Sequence, residues 1–453
     1  MIQEETMSSV PPGGTLLARG AAAGPAALVR PRGRNLRWAI TGVICLLTIA
    51  NYMDRGNLSV AAPLVMKDLG VSNTMMGVVL SAFVWPYAIM NLPAGWLVDR
   101  FGAKLLLACA AGAWSLVSMA TGLATSIGQF LGLRIALGIS EAPLFPGALK
   151  ATNAWFPDQE KAAATSVYIA TTQVGLAVAP PIATALMVAF GWPAMFVIIG
   201  LFGFVAMLGW LAIYHDPAAH PRISAAELAY VRAGQSGRTA APDGGAAVGL
   251  PEWSGLFRQP AIWTMIVGGF CLQYTFWFYI TWLPTYLQRA QHFTLSHAGY
   301  LSALPFIAGA AGVLAGGRVS DALVARGMAP FHARRAVVAT GALLTAAIMV
   351  ATTLSPNAAV AVGLLTTGMF TYSLSSGCYW TLATDVLTTP RFVASVGSIQ
   401  NFGGFLGGAC APIGTGLLVD RFGSFTAALL VTAASALVSA AMYGLLLRRR
   451  MAL

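Results

Sequence analysis

Charge is scarce in this sequence. Of 453 residues, 9% are Asp, Glu, Lys or Arg and 57% are hydrophobic. A soluble domain carries about 25% charged residues, so a water-facing surface for a chain this long is excluded. Cysteine is also scarce. Cys45, Cys109, Cys271, Cys378 and Cys410 fall in apolar runs, outside any CxxC or Cys/His pattern. That excludes a disulfide framework and a zinc site, and leaves small buried apolar side chains. His215, His220, His292, His297 and His332 fall in loops or at helix ends, where surface solvation is expected rather than a proton relay through a membrane. The sequence has no Gly-Lys-Ser/Thr phosphate loop, no Gly-x-Ser-x-Gly and no His-Glu-x-x-His. An ATP-driven pump and a membrane hydrolase both lose their usual marks. The expectation is a protein that is not an enzyme, with no cofactor and no metal.

What the sequence does have is apolar runs. A membrane helix needs about 20 mostly apolar residues. Twelve candidates lie near 37–60, 76–98, 104–124, 127–150, 162–188, 192–214, 261–288, 296–317, 334–353, 357–384, 391–418 and 424–447. The 49 glycines suit such helices, because small residues let them approach closely in lipid. The expected fold is all-α, a polytopic membrane protein of twelve transmembrane helices in two pseudo-symmetric six-helix halves. The divisions are a disordered tail over 1–36, a first half over 37–214, a central loop over 215–260, a second half over 261–448, and a short tail over 449–453. Within the loop, Ser224 and Glu227 form a capping box that starts a short surface helix.

The net charge of +11 tests this plan. With the amino terminus in the cytoplasm and each helix reversing side, nearly all basic residues fall inside. The exceptions are Lys67, Arg289 and Arg421 outside, and Arg55 and Arg134 within helices. This is the positive-inside pattern. The excess charge is therefore a topology signal, no nucleic-acid partner is implied, and both termini are expected to be cytoplasmic. The partners are a lipid bilayer and a small solute, and the working unit is expected to be a monomer. Repetition supports two halves: "GWLVDRFGAK" at 95–104 follows the second helix and "GGRVSDALVARG" at 316–327 the eighth. Asp99, Arg100 and Gly102 of the first copy form a turn expected to act as a conformational latch. A third echo, "GLLVDRFG" at 416–423, follows the eleventh helix and does not fit the half-to-half repeat.

Ionisable groups inside hydrocarbon are costly and mark function unless pairing explains them. Four lie in the first half. Asp54 and Arg55, in "NYMDRGNLS", sit late in the first helix. Adjacent helical residues point about 100° apart and must address different partners. Arg134 and Glu141 sit seven residues apart on the fourth helix, on one face roughly 10 Å apart. An arginine's planar fork suits a carboxylate substrate. A carboxylate poised between desolvation and a neighbouring cation can carry a coupled proton. The alternative is two structural ion pairs that hold helices one and four together. Tyr87, Gln173 and Asn401 lie mid-helix, where cavity lining and core packing are both open. Pro180 and Pro181 on the fifth helix allow a kink.

The segments "NYMDRGNLSVAAP", "LSAFVWPYAIMNLPAGWLVDRFG", "LRIALGISEAPLFPGALKATNAWFP" and "WFYITWLPTYL" resemble the major facilitator superfamily, and within it the anion–cation symporter branch. "HDPAAHPRISAAEL" is similar to the bacterial sugar-acid permeases of that branch, for galactonate, glucarate or galactarate, and hexuronate. The resemblance runs from about residue 35 to the end. It implies a proton-coupled importer of a small organic anion in a bacterial inner membrane, with the proton as coupling ion. Asp54 and Glu141 fall at the proton-coupling positions, Arg55 and Arg134 at the substrate and charge-network positions, and Tyr87, Gln173, Trp380 and Asn401 at cavity positions. The tenth helix departs from the pattern: Cys378 and Tyr379 precede Trp380 where smaller or hydroxyl-bearing residues are expected. That departure leaves an aromatic or dicarboxylic acid, moved by an exchanger or exporter, as an alternative. A transporter-like ligand sensor is a further alternative.

Overall fold

A computed structural model describes residues 35–235, 254–387, 392–447 and 451. The tails expected over 1–36 and 449–453 fall outside these residues, apart from Asn35, Leu36 and Met451. Arg238, Asp243 and Glu252 of the central loop fall outside them too.

The described chain is built of helices, with no strand among the described residues. In lipid every backbone polar group must be satisfied within its own segment, which helices achieve. The first half comprises α1 (Leu36–Leu69), α2 (Asn73–Ser81), α3 (Val84–Phe101), α4 (Ala103–Thr121), α5 (Ile127–Glu141), α6 (Leu144–Trp155) and α7 (Asp158–Ile213). A surface helix α8 (Ala225–Ala233) follows. The second half comprises α9 (Pro260–Arg289), α10 (Leu295–Leu301), α11 (Ala303–Ala325), α12 (Pro330–Thr353), α13 (Ala358–Asp385), α14 (Val393–Phe422) and α15 (Thr426–Ala441). Side chains open several of these helices. Ser72, Ser126, Ser224, Thr294 and Asn357 each accept a hydrogen bond from the backbone N–H three residues on, which satisfies one of the orphan donors of a first turn.

Ten helical stretches among the described residues are long and apolar enough to cross a membrane. Two facts reconcile ten with twelve. Ala163–Ile213 is two crossings, because Gly191 at φ 81° is non-helical and divides α7 into two helices. The fourth crossing is split at Ala142–Pro143 into α5, of 15 residues, and α6, of 12, neither long enough alone. The second crossing is α2 with α3, and the eighth is α10 with α11. Pro180 and Pro181, which could have kinked the fifth crossing, lie inside continuous helix.

Within the first half α7 packs along α1 and α4. Within the second, α14 packs on α9, and α13 lies between α11 and α12. The halves meet through α2 with α14, α7 with α10 and α11, and α1 with α9. Their joining contacts gather toward the face that carries the α1–α2 turn, here the turn face. The opposite face, which carries Leu36 and α8, is the tail face.

On the tail face, α8 is more than the exposed helix that the capping box predicts. Glu227 accepts from the backbone N–H of Leu36 and of Arg37, both at 3.2 Å, and so caps α1. Arg37 is buried rather than a solvated topology charge. Its Nε donates to Glu160 at 3.0 Å and its Nη1 to Glu227 at 3.1 Å. Tyr230 donates to Glu160 at 3.0 Å and lies under the Arg37 guanidinium. His220 is likewise buried, against expectation. Its Nδ1 accepts from the Arg222 N–H, and its ring stands edge-on to Trp155. The clamp ties the start of the central loop to α1 and α7. Glu227→Ala leaves Arg37 without one of its buried partners, at a cost of about 3 kcal/mol. The expected outcome is a lower melting temperature in a thermal-unfolding assay, with Glu227→Gln intermediate because the amide still accepts.

Candidate functional site

The four buried charges converge in the first half. Since α1 runs on to Leu69, Asp54 and Arg55 lie in the middle of that helix, not late in it. The α5 spacing places Arg134 and Glu141 on one buried face, Glu141 at the last residue before the break. Arg55 and Asp54 take different partners, as their angular separation requires. Arg55 Nε donates to Glu141 Oε2 at 2.9 Å, with both side chains buried. The guanidinium is boxed by three rings: Tyr52 at 4.6 Å, Tyr87 at 4.6 Å and Phe83 at 5.1 Å from centroid. Such a contact is worth about 2 kcal/mol when desolvated, and together the three rings enclose the guanidinium.

Asp54 and Arg134 are joined through an amide rather than directly. Asn57 Nδ2 donates to Asp54 Oδ1 at 3.2 Å, and Arg134 Nη2 donates to Asn57 Oδ1 at 3.3 Å. Ser118 on α4 also donates to Asp54 Oδ1. Asp54 Oδ2 and Arg134 Nε are buried and have no hydrogen-bond partner among the described residues. An ionised carboxylate with one oxygen unanswered in a buried site is costly. Glu141 Oε1 and Arg55 Nη2 are likewise buried without a hydrogen-bond partner among the described residues, so the site holds one direct ion pair and two carboxylates that each keep a free oxygen. This is a different arrangement from two matched structural pairs.

The other candidate residues are placed as follows. Tyr87, on α3, stacks on Phe83 and meets Phe405 of the second half edge-on at 5.5 Å. It is the bridge from the charged cluster to the facing half, together with the Phe83–Trp277 contact. Gln173 lines an apolar crevice between the fifth crossing and α11, beside Pro181, Ala303 and Phe306. Trp380 is 47% exposed, with its neighbour Tyr379 packed against it. Asn401 is half-buried in α14. Asp99 lies within 3.2 Å of Lys150, which also donates to the Val98 and Asp99 carbonyls at the end of α3. Arg100 packs over Trp96 and Phe101, and Gly102 has φ 81°.

The tenth-helix departure resolves differently from expectation. Cys378 and Tyr379 point into the second half itself. Cys378 Sγ donates to the Gly316 carbonyl, and the Tyr379 hydroxyl donates to the Gln400 carbonyl at 3.1 Å while Gln400 Nε2 returns to the Tyr379 carbonyl at 2.8 Å. These two residues cross-link helices and leave the neighbouring Trp380 half exposed. Cys109 and Cys410, by contrast, are exposed. Sequence reasoning missed Ser118 and noted Asn57 as a polar residue in an apolar helix without assigning it a role. Asn57 is three residues from Asp54, so helix-neighbour spacing was the available signal. Ser118 had none that ties it to Asp54, because its partner lies 64 positions away.

A family model described as Major Facilitator Superfamily matches residues 44–409. The "Probable L-galactonate transporter" of Escherichia coli (strain K12) is 38% identical, over 91% of this chain and 91% of that protein. The "Probable sulfoacetate transporter SauU" of Cupriavidus necator is 33% identical over 88% and 91%. The "Probable galactarate/D-glucarate transporter GudP" of Bacillus subtilis is 32% identical over 93% and 94%. Among solved structures, an inward-facing, unoccupied bacterial homolog of the human lysosomal transporter Spinster superposes with TM-score 0.74 at 19% identity, covering 92% of this chain and 98% of that one. At that identity the likeness shows the fold alone. The chain belongs to the Major Facilitator Superfamily and is a multi-pass membrane transporter, not an enzyme. The resemblance to sugar-acid permeases read from its motifs is borne out by these relatives.

The ring box around Arg55 generates a prediction. Arg55→Lys keeps the charge but loses the planar fork and its stacking. Uptake by folded protein in proteoliposomes is expected to fall at least about tenfold, which corresponds to roughly 1.4 kcal/mol. Wild-type uptake by the lysine variant would show that a point charge suffices.

Proposed function

We propose that this chain imports a small organic anion, a sugar acid or a related carboxylate, together with protons, by alternating access. The buried Arg55–Glu141 ion pair carries the reading. Three rings and the packing of α1 hold the Arg55 guanidinium in place, so it cannot follow a departing partner. A substrate carboxylate then competes with Glu141 for the same fork. When the substrate takes it, Glu141 is left buried without its cation, and a buried carboxylate in that position neutralises by taking a proton. Substrate binding and proton uptake become one event. Asp54, with its free oxygen beside Asn57 and Ser118, offers a second place for a proton.

Supporting the substrate class are the relatives named for galactonate, galactarate or glucarate, and sulfoacetate, all of them organic anions. Supporting the orientation is the distribution of basic residues, which puts the tail face and both termini in the cytoplasm of a bacterial inner membrane. The turn face is then periplasmic, and the closure of the halves there corresponds to the inward-facing stage of the cycle. Release follows when the higher cytoplasmic pH takes the proton back, Glu141 recovers Arg55 and the anion is displaced.

Purified protein in proteoliposomes tests this with an imposed inward-acid pH gradient and labelled galactonate as the first probe. Wild type accumulates the anion. Glu141→Gln is expected to lose gradient-driven accumulation while retaining counterflow exchange. Full accumulation by Glu141→Gln would remove Glu141 from the coupling role, and gradient-insensitive exchange by wild type would make the protein an exchanger.

A further inference from the structure

The echo "GLLVDRFG" has no place in the half-to-half repeat, yet it is nearly identical to "GWLVDRFG". The first copy ends α3 on the tail face and the second ends α14 on the turn face. Each puts an aspartate just before the helix end and a glycine with positive φ just after it, Gly102 at 81° and Gly423 at 68°. In the first copy, the Asp99 side chain is 80% exposed beside Lys150. In the second, Asp420 reaches across to the other half. It accepts from the Asn73 N–H at 3.1 Å, Asn73 Nδ2 at 2.7 Å, the Thr74 N–H at 2.6 Å and Thr74 Oγ1 at 2.5 Å. A carboxylate there answers the orphan donors and the positive end of α2, alongside the helix's own cap from Ser72. Arg289 of α9 adds a bond to Asn73 Oδ1 at 2.7 Å.

Below this cap the two helices run backbone against backbone. A Cβ on Gly416 would strike the Asn73 carbonyl, and one on Gly77 would strike the Pro412 carbonyl. Deeper still, Ser81 donates to the Ala409 carbonyl at 2.7 Å. The residues 420, 416, 412 and 409 of α14 thus meet 73–74, 73, 77 and 81 of α2 in strict antiparallel order. A seam this close cannot open partially at one point without losing the rest.

We infer that Asp420 is a positioning residue for transport: the latch that holds α2 to α14 and closes the turn face, and that must release in every cycle for that face to open. The second octapeptide is present for this contact. The inference needs alternating exposure of two faces but not the identity of the anion or the coupling ion. Its labelling test is therefore independent of the substrate.

The test uses the full chain in membrane vesicles, with the five native cysteines replaced and Ser81→Cys as reporter. A membrane-impermeant maleimide is applied from the turn face. The reporter is expected to label slowly in the parent, and at least about fivefold faster with Asp420→Ala, in the range of typical coupling between conformational states. Thr74→Val removes one partner of the same carboxylate and is expected to accelerate labelling by less. On top of Asp420→Ala it should add nothing, because the two act through one contact. Labelling unchanged by Asp420→Ala in protein that elutes as a folded species would overturn the latch. A Thr74→Val effect that adds in full to that of Asp420→Ala would overturn it as well. Uptake supplies a second readout. Latch loss should lower the half-saturating concentration at the turn face and reduce the maximal rate, whereas a merely structural lesion lowers the rate alone.

Discussion

A charge placed in hydrocarbon must be answered by another charge or by hydrogen bonds, and the first half of this protein is organised around that demand. Asp54, Arg55, Arg134 and Glu141 are all withdrawn from water, and α1, α3, α4 and α5 are held in register by what these residues need. Arg55 draws Glu141 across from α5 and rings from α1 and α3. Asp54 draws Ser118 from α4 and, through Asn57, Arg134 from α5. The same demand makes the cluster switchable. The single bond that joins Arg55 to Glu141 is lost when a ligand takes the guanidinium, and the arrangement changes with it.

The contact between halves obeys a different rule. Lipid offers no hydrophobic drive for helix association, so close packing and polar contacts do the work. The α2–α14 seam uses both, with bare glycine surfaces along its length and a carboxylate capping its end. Such a seam has two well-defined states, together or apart, because dense packing does not deform gradually. Tyr87 and Phe83 connect the two systems. They stack on Arg55 on one side and touch Phe405 and Trp277 of the second half on the other. The guanidinium that faces Glu141 and the contact between the halves therefore share the same two rings.

Much of this was legible in advance, for identifiable reasons. Twelve apolar runs follow from the thickness of a bilayer, and the seven-residue spacing of Arg134 and Glu141 follows from helix geometry. Both are local properties of the chain. What failed were judgements about whether a residue meets solvent. Arg37 looks like a solvated topology charge and His220 like a loop residue, and they are buried by α8 and by Trp155. Tyr379 looks like a cavity residue and is turned inward by Gln400. In each case the deciding partner is many positions away. The fifth crossing stays helical through two prolines for the same kind of reason: neighbouring helices can support freed backbone groups, and the sequence does not show which neighbours are there.

By itself, then, the sequence determined that the chain crosses a bilayer as two sets of six helices and which four charges are trapped inside. Hydropathy and helical periodicity are sums over neighbouring residues, and a one-dimensional string carries them in full. Only the tertiary structure decided how those charges are partnered. It set Arg55 on Glu141 and Asp54 on Ser118, with Arg134 reached through Asn57, and it gave the stray DRFG motif its place against α2. Partner choice depends on distances between helices separated by scores of residues, and those distances are fixed by packing that no local pattern records.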